Sequence, residues 1–179
     1  MDSHAPPAPA PWTPRIVAFF CTWCTYTAAD LAGVSRLKYA PNARVIRVMC
    51  SGRVDPQFVL EALAQGADGV LIGGCHPGDC HYVEGNHKLL RRFQLLQRLL
   101  TDLGLERERV RLEWISAAEG DKVRWAINDM VETLKPLGPL NLPGQQQAWD
   151  RELARRAENP EPAPDGPPPG PTAPIPSPL

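Results

Sequence analysis

Between Arg15 and Pro139 the chain alternates short apolar runs with segments whose apolar residues recur every three or four positions. The run Arg15-Ile-Val-Ala-Phe-Phe20 reads as a buried strand, followed by a helix over about Tyr26–Lys38. Pro41 and Asn42 turn the chain into a second strand, Val45–Met49. Asp55-Pro56 is an N-cap with proline at the first helical position, opening a helix to about Gln65 that Gly66 ends. A third strand follows at Gly69–Gly73. The longest helix is predicted over about Asn86–Leu103, with Leu89, Phe93, Leu96, Leu100 and Leu103 on one face and Gly104 as its C′ residue. Val110–Ile115 is a fourth strand. Ser116-Ala-Ala-Glu119 has the form of a capping box, opening a helix with Val123, Ile127, Met130, Val131 and Leu134 on its core side. Pro136 and Gly138 terminate that helix, and a short one over about Gln145–Ala157 is weakly patterned.

Strands that are apolar throughout, alternating with helices, are the signature of a parallel sheet covered on both faces. Right-handed crossovers leave few arrangements. The expected fold is α/β, a flavodoxin-like doubly wound parallel sheet of about four strands in the order 2-1-3-4. Proline sets the outer boundaries: Pro6, Pro7, Pro9, Pro11 and Pro14 crowd the start, and ten of the 21 prolines lie between Pro160 and Pro178. The organisation that follows is an extended arm over about residues 1–13, an α/β domain over 14–140 and a short helix or linker over 141–157. A disordered proline-rich tail over 158–179 follows, with too little apolar surface to offset its ordering entropy.

With 179 residues and 43% hydrophobic composition, the chain suits one domain with a sizeable core. A formal net charge of −1 gives no basis for binding nucleic acid or an anionic membrane surface. No apolar run approaches the roughly 20 residues needed to span a bilayer. The opening residues have neither the basic start nor the apolar core of a signal peptide. The expected location is cytoplasmic, a reducing compartment in which cysteines serve metals or redox chemistry more often than structural bridges.

That matters because all five cysteines fall where a parallel strand should end. Cys21 and Cys24 follow the first strand, Cys50 closes the second, and Cys75 follows the third, with Cys80 five residues on. The carboxyl ends of the strands converge on one edge of an open α/β sheet, so sulfurs far apart in sequence should meet there. Soft thiolates suit iron–sulfur clusters and zinc, and a binuclear cluster takes four cysteines, two per iron. Cys21-Thr-Trp-Cys24 and Cys75-His-Pro-Gly-Asp-Cys80 supply two local pairs. Cys50, alone on its loop, is the expected spare. A zinc site and a dithiol redox site remain open on this chemistry, since Cys-x-x-Cys at a strand-to-helix junction also looks thioredoxin-like. Inert buried cysteine explains one or two of the five, not all.

His76 and His81 flank the second pair, as ligands or as hydrogen-bond partners of the sulfurs and loop carbonyls. His87 belongs to the start of the long helix and His4 to the arm. Trp23 and Tyr26 beside the first pair either screen a cluster from water or simply pack. Gly73-Gly74 marks a close backbone approach at a strand tip, with no nucleotide-binding spacing after it. Lys88, Arg91, Arg92 and Arg98 give the long helix a basic face, a solvated surface or a docking stripe.

Together these residues resemble the delta (iron–sulfur) subunit of methyl-viologen-reducing hydrogenases, from about Arg15 to Pro139. The resemblance is carried by Phe20-Cys21-Thr-Trp-Cys24-Thr-Tyr26, Ile46-Arg-Val-Met-Cys-Ser-Gly-Arg53, Gly73-Gly-Cys-His76, Gly78-Asp-Cys-His-Tyr82 and Glu113-Trp-Ile-Ser-Ala117. It implies one [2Fe–2S] cluster, with the family's five cysteines falling on Cys21, Cys24, Cys50, Cys75 and Cys80. It also implies an electron conduit between a hydrogenase or formate dehydrogenase iron–sulfur subunit and a heterodisulfide-reductase-A-like flavoprotein, whose flavin bifurcates electrons. No independent turnover is expected. The rival from another class is a zinc-stabilised docking module that carries no electrons. Trp23, Tyr26, His76, Pro77 and Tyr82 are the expected contacts with partners.

Overall fold

A computed structural model describes residues 12–158. The expectations for residues 1–11 and 159–179 lie outside these. Among these described residues, those up to Gln145 form one compact unit and those from Gln146 another. In the first, four parallel strands form a sheet in the order β2-β1-β3-β4: β1 (Ile16–Cys21), β2 (Ala43–Val48), β3 (Gly69–Gly74) and β4 (Val110–Trp114). This is the predicted doubly wound order.

Four helices of this unit cover the sheet: α1 (Thr25–Val34), α2 (Pro56–Ala64), α3 (Gly85–Asp102) and α4 (Gly120–Leu137). Strand periodicity sorts the core into two layers. Ile16, Ala18, Phe20 and Leu71 point to one face, against Ala28 of α1 and Val123, Ile127, Met130 and Leu134 of α4. Phe19, Val70 and Ile72 point to the other, against Val59 and Leu63 of α2 and Leu89, Leu96 and Leu100 of α3.

Local signals explain most boundaries. The Asp55 carboxylate accepts a hydrogen bond from the Gln57 N–H, so α2 begins at Pro56 as predicted. α1 stops at Val34, short of the expected Lys38, because the chain turns through Arg36 at φ 54°. α4 begins at Gly120, not at Ser116. Residues Ser116–Glu119 close on themselves as a turn, with the Glu119 N–H donating to the Ser116 carbonyl. Leu103, just past the end of α3, is exposed rather than on the buried face, whereas Phe93 is half-buried.

β2 departs from expectation. Its central residues Arg44, Val45, Ile46 and Arg47 are all exposed, so this edge strand is not covered on both faces. Short α1 packs mainly against α4 and leaves one face of β2 open. The last helix, α5, runs over Leu142–Glu158, longer than the predicted helix, and buries no side chain among the described residues.

At the amino ends of the strands, Asp68 and Arg109 close the fold. The fully buried Asp68 carboxylate accepts from the N–H groups of Arg15 (2.8 Å) and Leu140 (3.1 Å). The buried Arg109 guanidinium donates to the carbonyls of Asp68, Leu137 and Gly138 and pairs with Glu106 at 2.7 Å. Among the described residues no helix is long and apolar enough to cross a membrane.

Candidate metal centre

The carboxyl ends of β1, β2 and β3 bring all five cysteines to one edge. Cys21 is the last residue of β1, and Cys24 caps α1. Cys50 caps a 3-10 turn over Ser51–Arg53 that follows β2. Cys75 follows β3, and Cys80 lies on the loop into α3. All five thiols are free, and all but the half-buried Cys50 are buried.

The sulfurs form a trio and a pair. Cys24 and Cys75 are 3.0 Å apart and Cys21 and Cys75 3.9 Å, with the three sulfurs within 4.8 Å of one another. Cys50 and Cys80 are 3.9 Å apart. Two thiolates on one tetrahedral metal with bonds of about 2.3 Å stand roughly 3.8 Å apart, the spacing of Cys21–Cys75 and of Cys50–Cys80, whereas Cys24–Cys75 is closer. Loop spacing alone pairs Cys75 with Cys80; the fold instead sets Cys50 against Cys80.

Small residues make room for the sulfurs. A Cβ on Gly85 would collide with the Cys50 sulfur and sit 3.1 Å from that of Cys80. A Cβ on Gly73 or Gly74 would strike Thr25 or Ser51, which accounts for the glycine pair before Cys75. Ser51 is fully buried, and its Oγ has no hydrogen-bond partner among the described residues. Soft donors, a glycine-lined cradle and an orphaned hydroxyl beside it fit a sulfur-ligated metal group.

The thiols differ in acidity for identifiable reasons. Cys21 is held down to about 5, chiefly by the Cys24 thiol donating to it, with the Trp23 and Ser51 N–H groups adding and burial opposing. Cys24, the donor, is pushed up. Burial is the main cause that raises Cys50 to about 11 and also raises Cys75. Burial works against ionisation of Cys80 too, but the N–H groups of Tyr82, Asn86 and Gly85 outweigh it and its pKa falls. A metal that takes four thiolates must therefore displace protons, and its binding weakens as pH falls.

Around the sulfurs, the predicted neighbours take distinct places. The Trp23 ring stacks on His81 at 3.9 Å, and its Nε1–H donates to the Tyr82 hydroxyl at 3.2 Å. The backbone N–H of His81, not its ring, lowers the Cys75 pKa. His76 Nε2 lies 2.7 Å from Glu119 Oε2. Tyr26 is half-buried against the core beneath Arg47, unlike the exposed Trp23, Pro77 and Tyr82. His87 is exposed in the first turn of α3. On the basic face of α3, Arg92 is tied down, donating to the Gly52 carbonyl at 2.7 Å.

Sequence reasoning missed Asn86. It is buried, and its Nδ2 donates to the carbonyls of Cys75 (3.3 Å) and His76 (2.7 Å), clamping the Cys75 loop to α3. An asparagine at a helix start reads as a cap, so nothing local marks this role.

Glu119 accepts a hydrogen bond from the Ser116 N–H at 2.6 Å and faces His76 as well. The Ser116 contact first, then His76, lowers its pKa to about 2. A depressed carboxylate pKa stabilises the fold above the unfolded value near 4.5 and loses that stabilisation as pH falls toward 2. The side chain is more than a third exposed, and solvent screening holds the gain to about 1 kcal/mol. Glu119→Gln should therefore lower the Tm at pH 7, with the gap to wild type narrowed at pH 3. Parallel melts at the two pH values check this; a gap that widens in acid would show that Glu119 is not held as a carboxylate.

Comparison with known proteins places this centre in context. The family model described as methyl-viologen-reducing hydrogenase, delta subunit, matches residues 16–138. The chain is 59% identical over 129 residues to the iron-sulfur D subunit of the F420-non-reducing hydrogenase of Archaeoglobus profundus, covering 72% of this chain and 94% of that protein. Identity is 57% over 131 residues to the vhc iron-sulfur D subunit of the F420-non-reducing hydrogenase of Methanococcus voltae, covering 73% and 91%. A third relative, from Methanosarcina acetivorans, is named as the A component of the ferredoxin/F(420)H(2)-dependent CoB-CoM heterodisulfide reductase. It is 49% identical over 134 residues, which are 75% of this chain but 17% of that protein. α5 lies beyond the family match.

Proposed function

Because this chain belongs to the methyl-viologen-reducing hydrogenase delta-subunit family, we propose that it is the electron-transfer subunit of a cytoplasmic oxidoreductase complex and holds one [2Fe–2S] cluster. The observation that carries this reading is the trio of thiols within 4.8 Å beside a second pair at 3.9 Å. Four of the five cysteines are the ligands. When bound, the cluster supplies storage for one electron at the edge of the sheet.

The chain's own residues shape that edge. Gly85, Gly73 and Gly74 let backbone approach the sulfurs. Asn86 fixes the Cys75 loop. Trp23, stacked on His81, screens the thiols from water, and His76 braces the loop through Glu119. Catalysis belongs to partners. These are a hydrogenase or formate dehydrogenase iron–sulfur subunit on one side and a heterodisulfide-reductase-A-like flavoprotein on the other, in a complex whose flavin bifurcates electrons. Support for the flavoprotein comes from the Methanosarcina relative, in which a domain like this one is part of a chain named for heterodisulfide reductase. A zinc-stabilised docking module is the second reading, favoured by a trio of thiols that alone suits one zinc ion.

Serine substitution of each cysteine, with iron counted per chain, tests the ligand set. Four variants should lose the cluster and one should keep it. Retention in Cys50→Ser marks Cys50 as the spare, the reading from loop spacing. Retention in a member of the Cys21–Cys24–Cys75 trio is the reading that the Cys50–Cys80 pair favours. Retention of iron in all five would sink the four-thiolate assignment.

A further inference from the structure

Among the described residues β2 pairs with β1 alone, so its outer edge carries a row of backbone groups without a strand partner there. Its four central residues are exposed as well. Arg44 and Ile46 face α2 and line a groove of about 1050 Å³ together with Phe58. Val45 and Arg47 take the opposite face by strand alternation. Val45, Ile46 and Phe58 are each more than two-fifths exposed, as is Met49 just beyond the strand. Arg44 and Arg47 have no ion-pair partner among the described residues.

These features select an occupant. A second copy pairing edge to edge would gather four arginines along one edge, a like-charge juxtaposition that is unfavourable. An acidic strand reverses the sign and turns both arginines into attractions. We propose that β2 is a docking edge that accepts an extended acidic segment of the flavoprotein partner as a fifth strand. An acidic side chain faces Arg44 on one face and another faces Arg47 on the other, with apolar residues against Val45 and Ile46. Main-chain hydrogen bonds supply affinity and the side chains specificity, as in other strand additions. The edge also leads to the metal centre, since the Met49 carbonyl lies 3.8 Å from the Cys21 sulfur. A partner seated along β2 thus comes close to the thiols.

This assignment rests on the flavoprotein reading above, and the test separates the two. The double variant Arg44→Glu/Arg47→Glu and the surface control Leu99→Glu are purified anaerobically as full chains beside wild type. Each is assayed for recovered flavoprotein and, separately, for iron. The double variant should bind the flavoprotein at least about tenfold more weakly with iron unchanged, because like charges across an interface are strongly unfavourable. The control should bind as wild type does. Hydrogen exchange on the wild-type complex should show the outward-pointing β2 amides, those not bonded to β1, protected only when the flavoprotein is bound. Undiminished binding of the double variant, or outward-pointing β2 amides left unprotected in the complex, overturns the docking edge. Wild-type chain that carries iron but recovers no flavoprotein overturns both the edge and its partner, while the iron count judges the cluster alone.

Discussion

Gly85→Ala should strip the protein of most of its iron while leaving the fold in place. Gly85 is buried at the first position of α3, with its backbone against Gly52 and the sulfurs of Cys50 and Cys80 over its Cα. One added methyl meets the Cys50 sulfur head-on and the Cys80 sulfur at 3.1 Å. The glycine cannot retreat, because a Cβ placed on Gly52 would already lie 2.6 Å from the Gly85 carbonyl oxygen. The sulfurs must move instead, at a cost of about 1–3 kcal/mol in an overpacked site. Iron per chain should fall by more than half, with the circular dichroism of the helices retained. Gly33→Ala is the matched control. Nothing lies within 4 Å of its added methyl in α1, so it should keep its iron and gain about 0.5–1 kcal/mol. Full iron in Gly85→Ala would mean that the Cys50–Cys80 pair takes no part in the centre.

Asp68→Ala should act at the other end of the sheet and in the opposite way, costing stability and sparing the metal. The fully buried carboxylate serves the N–H groups of Arg15 and Leu140, and its loss leaves both donors without an acceptor. It also removes the anion that Arg15 Nε faces at 3.7 Å. Two N–H donors left without an acceptor cost about 1–3 kcal/mol each, about 2–6 kcal/mol together. For a domain of this size that lowers the Tm by on the order of 10–20 °C. Thermal melts read the effect, and iron content below the transition should match wild type. A shift of only a degree or two would show that water replaces the carboxylate and that this closure contributes little.

The strand order was legible because β1 and β3 carry uninterrupted apolar runs bounded by glycine and proline, which leave little choice of topology. The convergence of five cysteines was legible for the same reason. Pairing of individual sulfurs was not, since spacing along the chain groups Cys75 with Cys80, whereas the path of the loop into α3 carries Cys80 to Cys50. β2 shows a second limit. Its Arg-Val-Ile-Arg-Val pattern suits a covered strand almost as well as an open edge, and only the short reach of α1 decides which. Asn86 and Asp68 act through backbone groups of distant segments, and no local signal marks such partners. Arg109 reads as one more surface charge until the fold wraps carbonyls around it.

The most direct test is iron, sulfide and zinc analysis of the full chain purified without oxygen, with electron paramagnetic resonance of the reduced sample. A cluster-bearing chain should contain about two iron and two acid-labile sulfides, as four thiolates imply, and should give a resonance that disappears on reoxidation. One zinc per chain, with no sulfide, no colour and no resonance, would contradict it.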